Sequence, residues 1–190
     1  MSRFICIEGI DYAGKTSLVN WLCGNGFIMA NRVAEGYENL HRQMELNGDI
    51  NTRLDFYLGE LRERSENYRA LSTDFVADRY FLSVIAYHNV LMNRELHIVE
   101  KHKFNALLKP HVTILLTVDK AGLEYRSRNR SPGRWEEDID FLLAVQNEFI
   151  RLSGFYENIV VMNTSHCATD ETGSNVLSII NESAPTLNHL

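Results

Sequence analysis

The chain is 190 residues long, 45% hydrophobic and 23% charged, with a formal net charge of −6. That size and balance fit one globular domain spanning 1–190 and exclude a chain disordered throughout. The negative charge disfavours a broad nucleic-acid surface, so any phosphate site must be local. No apolar run reaches the ~18 residues that suggest a membrane span.

Three cysteines, Cys6, Cys23 and Cys167, show no metal-ligand spacing. An odd number, with no targeting segment visible ahead of the first strand, predicts reduced thiols in a cytoplasmic protein.

Phe4-Ile5-Cys6-Ile7 is an apolar run of strand formers, and Leu18, Val19, Trp21 and Leu22 recur at helical spacing. Between them lies Gly9-Ile10-Asp11-Tyr12-Ala13-Gly14-Lys15-Thr16-Ser17. Strand, loop and helix together form the phosphate-binding pattern G-x-x-x-x-G-K-[ST]. Gly9 and Gly14 permit backbone angles and approaches that a Cβ would block. The loop amides, those of Ala13 and Ser17 among them, and the helix N-terminus then face anionic oxygens. Lys15 supplies a point charge to the outer phosphates, and the Thr16 hydroxyl can ligate Mg²⁺. This stretch predicts nucleotide binding.

Gly24-Asn25-Gly26 stops the helix, and Phe27-Ile28-Met29-Ala30 reads as a short second strand. Polar residues 37–48 predict a helix, and 51–71 a long one with Leu54, Leu58, Leu61 and Tyr68 among its apolar positions. Phe75-Val76-Ala77 is a third strand ending at Asp78-Arg79-Tyr80. Helices are expected over 81–93 and 97–108. Val112 to Val118 is continuously apolar, as a parallel strand covered on both faces requires. Arg126, Arg128, Arg130 and Arg134 follow, with Pro132-Gly133 between the last two. A helix over 136–153, a strand over 158–163 and a helix over 171–183 complete the pattern. Alternating strands and helices predict an α/β fold, a parallel sheet layered between helices, with ligands beyond the carboxyl ends of the strands. Gly9, Asp78 and Val118-Asp119 all fall at such ends.

Asp78-Arg79-Tyr80-Phe81-Leu82-Ser83-Val84-Ile85-Ala86-Tyr87 resembles the D-R-Y-x-x-S-x-x-A-Y segment of thymidylate kinases. Phe4 to Ser17, with Glu8 and Asp11, is similar to that family's F-I-x-x-E-G-x-D-x-A-G-K-T opening. Pro110 to Leu116 is similar to its P-D-x-T-I-x-L strand, with His111 in place of Asp. Residues 137–152 resemble the helix after its lid.

The resemblance implies a P-loop NTPase fold, a three-layer α/β/α sandwich with a five-stranded parallel sheet and a small arginine-rich lid over about 122–136. It implies ATP-dependent phosphoryl transfer to a deoxypyrimidine nucleoside monophosphate, dTMP first, by a transferase of nucleotide biosynthesis. Small nucleotides are then the substrates, and nucleic acid and membrane are not partners. A homodimer is the family's common state. Lys15 and Thr16 would serve the donor phosphates, with Thr16 and Asp78 at Mg²⁺. Asp11 would lie beside the acceptor and Arg79 would contact the acceptor phosphate or the group in transfer. Phe56 matches a position that stacks on the acceptor base, and Tyr87 one that shapes the same pocket. Arg126, Arg128, Arg130 and Arg134 would form the lid that closes over ATP and excludes water, with Arg126, Arg130 and Arg134 serving the transfer itself. An arginine cluster in a glycine- and proline-containing loop suits such a clamp.

Two departures concern the acceptor. The family's arginine four residues after the Phe56 position is Glu60 here. Positions four apart share a helix face, so Glu60 is expected in the Phe56 pocket. A carboxylate there repels a phosphate by roughly 4 kcal/mol per charge pair at 4 Å in an intermediate dielectric. Arg53 or Arg64 could neutralise it, the helix could be aligned differently, or Glu60 could accept from a hydroxyl of an unphosphorylated acceptor. Arg32-Val33-Ala34-Glu35-Gly36-Tyr37 is only loosely similar to the family's R-E-P-G-G-T. The alternatives are therefore a deoxynucleoside or other small-molecule kinase of the same fold, and a nucleotide-binding regulatory protein.

Overall fold

The computed structural model describes residues 2–34, 36–128 and 138–183. Five parallel strands form one sheet in the order β2-β3-β1-β4-β5: β1 Phe4–Gly9, β2 Ile28–Met29, β3 Phe75–Asp78, β4 Val112–Thr117 and β5 Ile159–Asn163. Helices cover both of its sides. β1 sits in the middle, and β1 and β4 are buried at every residue, which is why both read as largely apolar, Glu8 of β1 being the charged exception.

The helices are α1 Lys15–Gly24, α2 Glu38–Asn47, α3 Ile50–Arg69, α4 Phe81–Met92, α5 Leu96–Val99, α6 Lys101–Asn105, α7 Lys120–Ser127, α8 Ile139–Ser153 and α9 Thr169–Glu182. Aspartates start three of them. Asp49 accepts from Asn51 N and Thr52 N, Asp119 from Gly122 N and Asp138 from Phe141 N, each satisfying amides that lack an intrahelical partner. The single helix expected over 97–108 is two short ones. Glu100, at φ −107° and ψ 19°, leaves the helical region between them.

α1 packs on α9, and α4 packs on α3 and α8. The α1–α9 approach depends on Gly173, where an added Cβ would lie 2.3 Å from the Trp21 ring. Beneath α3 and β3, Phe4 stacks on Phe75 at 4.8 Å and meets Tyr68 and Tyr80 edge-on at 5.3 and 5.4 Å. Each such buried side chain stabilises by about 1.5–3 kcal/mol. This floor fixes the β3 end and the α3 face that wall the site. His111, unusual for the resemblance, accepts from Phe4 N at 2.9 Å through Nδ1 and so ties the start of β4 to β1.

The arginine-rich stretch divides. Arg126 and Arg128 belong to the end of α7, whereas Arg130 and Arg134, with most of the expected lid, lie outside the described residues.

Candidate active site

The carboxyl end of β1 opens into the loop before α1. Gly9, at φ 137°, passes so close to β4 that a Cβ would sit 2.3 Å from Leu116 O. Tyr12 at φ 65° and Gly14 at φ 95° complete the bend. α1 then begins with no side-chain cap and no acidic residue in its first turn. Its first amides lack intrahelical partners, and their positive end is open to an anion. A cavity of about 390 Å³ lies over them, lined by Asp11 to Leu18, Leu116, Tyr125, Arg126, Thr164, Cys167, Thr169 and Thr172.

Lys15 is buried at 6% exposure, and its Nζ donates to Ile10 O at 2.6 Å and lies 3.6 Å from Asp11. Burial, then the Arg79 charge, draws its ammonium down to about 8. Thr16 Oγ1 donates to Asp78 Oδ2 at 3.3 Å, and Asp78 Oδ1 is buried with no hydrogen-bond partner among the described residues. Two hard oxygen groups, one buried and unsatisfied, fit a Mg²⁺ held partly by substrate phosphates.

Thr164, at the end of β5, was not singled out from the sequence. Its hydroxyl donates to Ala13 O at 2.9 Å and accepts from Arg126 at 3.1 Å, while Arg126 also reaches Tyr12 O at 3.0 Å. Arg126 is thus joined to the phosphate loop itself, at the end of an ordered helix.

A second cavity, of about 560 Å³, opens between α3, α4 and the segment after β2. Asp11 lines both cavities and stands where they meet. Arg79, at φ 68°, bends back from the end of β3 and donates through Nη2 to Asp11 Oδ1. Its Nη1 reaches Gly9 O at 3.1 Å and Ser83 Oγ at 3.3 Å, and its guanidinium lies 5.3 Å from the Tyr87 ring centre. Tyr87 OH donates to Asp11 Oδ2 at 3.2 Å. Burial would raise the Asp11 carboxyl, but the Arg79 and Lys15 charges hold it at about 2. Burial pushes the Tyr87 phenol up to about 12. A left-handed, non-glycine Arg79 is held only because its surroundings over-determine it.

Glu8 provides much of that. Fully buried in β1, it accepts from Tyr80 N at 2.8 Å, Ser83 N at 3.3 Å and the Ser83 hydroxyl. Burial raises its carboxyl despite these donors. One carboxylate therefore sets the turn after Arg79, and Ser83 hands the connection on to the guanidinium. Glu8 was part of the sequence pattern without a role, and Ser83 carried none.

On the other wall, Arg53, Tyr57, Glu60, Leu61 and Arg64 of α3 face the second cavity at helical spacing. The expected partner of Glu60 on this face, Phe56, is not on it. Phe56 is half-buried against Tyr37 and His41, with ring centres 5.9 and 6.1 Å away, and Tyr57 takes the cavity position one residue on. Glu60 does enter the cavity wall, 3% exposed, and accepts from Ala34 N at 3.3 Å. Burial raises its carboxyl, opposed chiefly by Arg64 and then His41. Arg64 donates to Tyr68 OH and to Arg79 O at 2.7 Å, so it braces the same turn that Glu8 holds from below. Four arginines, 32, 53, 64 and 79, line this cavity against Asp11 and Glu60, leaving it basic although the chain is acidic. His88 lines it too, and is buried.

The family model described as Thymidylate kinase matches residues 56–174. Curated relatives include a probable thymidylate kinase of Staphylothermus marinus, 29% identical over 78% of this chain and 80% of that protein. Another from Sulfurisphaera tokodaii is 27% identical over 95% of this chain and 98% of its own. Among solved structures, the thymidylate kinase of Candida albicans superposes with a TM-score of 0.78 at 20% identity, covering 96% of this chain and 93% of that one. The deoxyadenosine kinase of M. mycoides with bound dATP gives 0.71 at 15% identity, with 94% and 99% covered.

Proposed function

The chain belongs to the thymidylate kinase family, ATP-dependent nucleoside monophosphate kinases, and on that premise we propose that it moves the ATP γ-phosphoryl group to dTMP. The observation that carries this reading is the position of Asp11, shared by a phosphate-loop cavity and a basic cavity of about 560 Å³. Donor and acceptor in the two cavities would meet at Asp11, Lys15 and Arg79, and phosphoryl transfer needs chiefly such positioning and charge neutralisation.

In this reading Gly9, Ala13, Gly14 and Ser17 give the donor phosphates backbone donors and room, and Lys15 brings a cation. Thr16 and Asp78 would hold Mg²⁺, which neutralises charge on the donor phosphates when bound. Arg79, oriented by Asp11, Ser83 and Tyr87, contacts the acceptor phosphate at the point of transfer. Arg126 serves the donor from its anchorage on Tyr12 and Thr164, and the clamp assigned to Arg130 and Arg134 remains part of the proposal. Tyr57, in the place expected of Phe56, gives the acceptor base an aromatic wall.

Glu60 favours a second reading, a deoxynucleoside kinase whose acceptor offers Glu60 a hydroxyl. Arg64, and after it Arg32, weigh toward the phosphorylated acceptor, because their charges offset the carboxylate. An assay of Mg-ATP against each deoxynucleoside and each deoxynucleoside monophosphate tests the proposal. Turnover of dTMP to dTDP is the expected result, and turnover of nucleosides alone would replace it with the second reading.

A further inference from the structure

Thr164 follows the last residue of β5 and is 4% exposed, in the wall of the phosphate-loop cavity. Its N–H donates to Thr117 O at 2.9 Å, which ties it to the end of β4. Its hydroxyl, with one proton to give, lies 2.9 Å from Ala13 O, 3.2 Å from Thr117 O and 3.1 Å from Arg126 Nη1. Arg126 only donates, and Ala13 O is the nearer of the two carbonyls, so the hydroxyl proton goes to Ala13.

Arg126 fixes the preceding peptide. Its guanidinium donates to Tyr12 O at 3.0 Å and to Thr164 O. Two successive carbonyls of the loop, those of Tyr12 and Ala13, are thereby drawn towards the ends of β5 and α7. The turn after β5 also holds the start of α7, where Asp119 N donates to Ser165 Oγ at 2.8 Å.

The C=O and N–H of a trans peptide point in opposite directions. With Ala13 O turned to Thr164, the Gly14 N–H is turned away from it. That N–H has no hydrogen-bond partner among the described residues, and it joins the unpaired amides that open α1. Nothing in Gly14 itself holds it there. Gly14 lies at φ 95°, and a Cβ added to it would meet nothing within 4 Å. Glycine accepts either sign of φ, so the Ala13–Gly14 peptide can turn over at little steric cost. Turned over, it would set a carbonyl oxygen, not an N–H, against the phosphates.

We propose that Thr164 is a positioning residue for the donor. Its hydroxyl, steadied by Arg126, holds the Ala13 carbonyl back and so keeps the Gly14 N–H aimed at the donor phosphates. The inference rests on the reading of this cavity as the ATP site.

The test compares Thr164→Val, which keeps the shape and loses the hydroxyl, with Thr164→Ser, which keeps the hydroxyl. Calorimetry gives the Kd for Mg-ATP and for inorganic tripolyphosphate, and steady-state kinetics give the KM for the acceptor. Thr164→Val should bind both ATP and tripolyphosphate about 10-fold more weakly, the effect of one misaimed hydrogen bond to a charged group. The KM for the acceptor should not move, and Thr164→Ser should keep most of the affinity. In wild type, tripolyphosphate should shift the Gly14 amide resonance downfield, a measurement that depends on no variant folding. Unchanged binding in Thr164→Val overturns the inference, as does a Gly14 resonance that bound tripolyphosphate leaves in place. A loss on ATP alone overturns it too, because the hydroxyl would then serve the base. So does a Thr164→Ser protein as weak as Thr164→Val. All of these outcomes leave the ATP reading standing, whereas wild type that binds neither ATP nor tripolyphosphate would overturn that reading and this inference with it.

Discussion

Arg79 donates to the Asp11 carboxylate at the meeting point of the two cavities, from a left-handed backbone that Glu8 and Arg64 hold from opposite sides. Each charge answers the other before any substrate enters, so the guanidinium is aimed at the junction in advance. Preorganisation of this kind removes reorganisation from the transition state.

Asp11→Asn should lower kcat by at least 100-fold, because Arg79 loses its orienting charge. It should also destabilise the protein by about 1–2 kcal/mol at neutral pH. The folded carboxyl is held at about 2, below its unfolded value of 3.8, so its contribution is present above pH 4 and lost as pH falls towards 2. Urea unfolding of both proteins at about pH 7 and about pH 2.5 measures this. A stability difference as large at the acid pH as at the neutral one would contradict the ion-pair account.

Lys15 predicts a pH limit on the donor side. Its ammonium is drawn down to about 8 in the free protein, so its charge is present below that pH and lost above it. kcat/KM for ATP should therefore fall as pH rises through 8, since this parameter reports the free enzyme. Lys15→Ala should abolish transfer and leave the melting temperature within a few degrees of wild type. A flat kcat/KM profile to pH 9.5 would argue against a cationic role.

Ser83→Ala removes the hydroxyl that donates to Glu8 and accepts from Arg79. A buried carboxylate then loses a donor, which costs about 1–3 kcal/mol. kcat on dTMP should fall by about 10-fold as Arg79 loosens, with little change in the KM for ATP. Equal effects on both substrates would point to general destabilisation.

The phosphate loop and the Asp78-Arg79-Tyr80 turn were legible because each is a local signal, residues a few positions apart at a strand end. What was not legible depends on contacts distant in sequence. Glu8 and Ser83 meet across 75 residues, and Thr164 reaches Ala13 across 151. The α3 face is a subtler case. One residue turns a helix by about 100°, so placing Phe56 rather than Tyr57 in the cavity is the whole difference between wall and flank. Phe56 packs on Tyr37 and His41, while Tyr57 meets His41 and His88 in the cavity wall. Arg53, Glu60 and Arg64 do line one cavity, as their common spacing predicts.

Glu60→Gln keeps the side-chain volume and removes the charge. If the acceptor is dTMP, a repulsion disappears and the KM for dTMP should fall several-fold, the part of the roughly 4 kcal/mol repulsion that the cavity's arginines leave unscreened. If the carboxylate instead holds a hydroxyl of an unphosphorylated acceptor, activity on that nucleoside should drop. Parallel kinetics with dTMP and thymidine separate the two.

The most direct measurement is product analysis of the purified protein with Mg-ATP and either dTMP or thymidine. The account predicts dTDP and ADP in equal amounts from dTMP, and slow or no conversion of thymidine. Conversion of thymidine to dTMP, with dTMP left untouched, would contradict it.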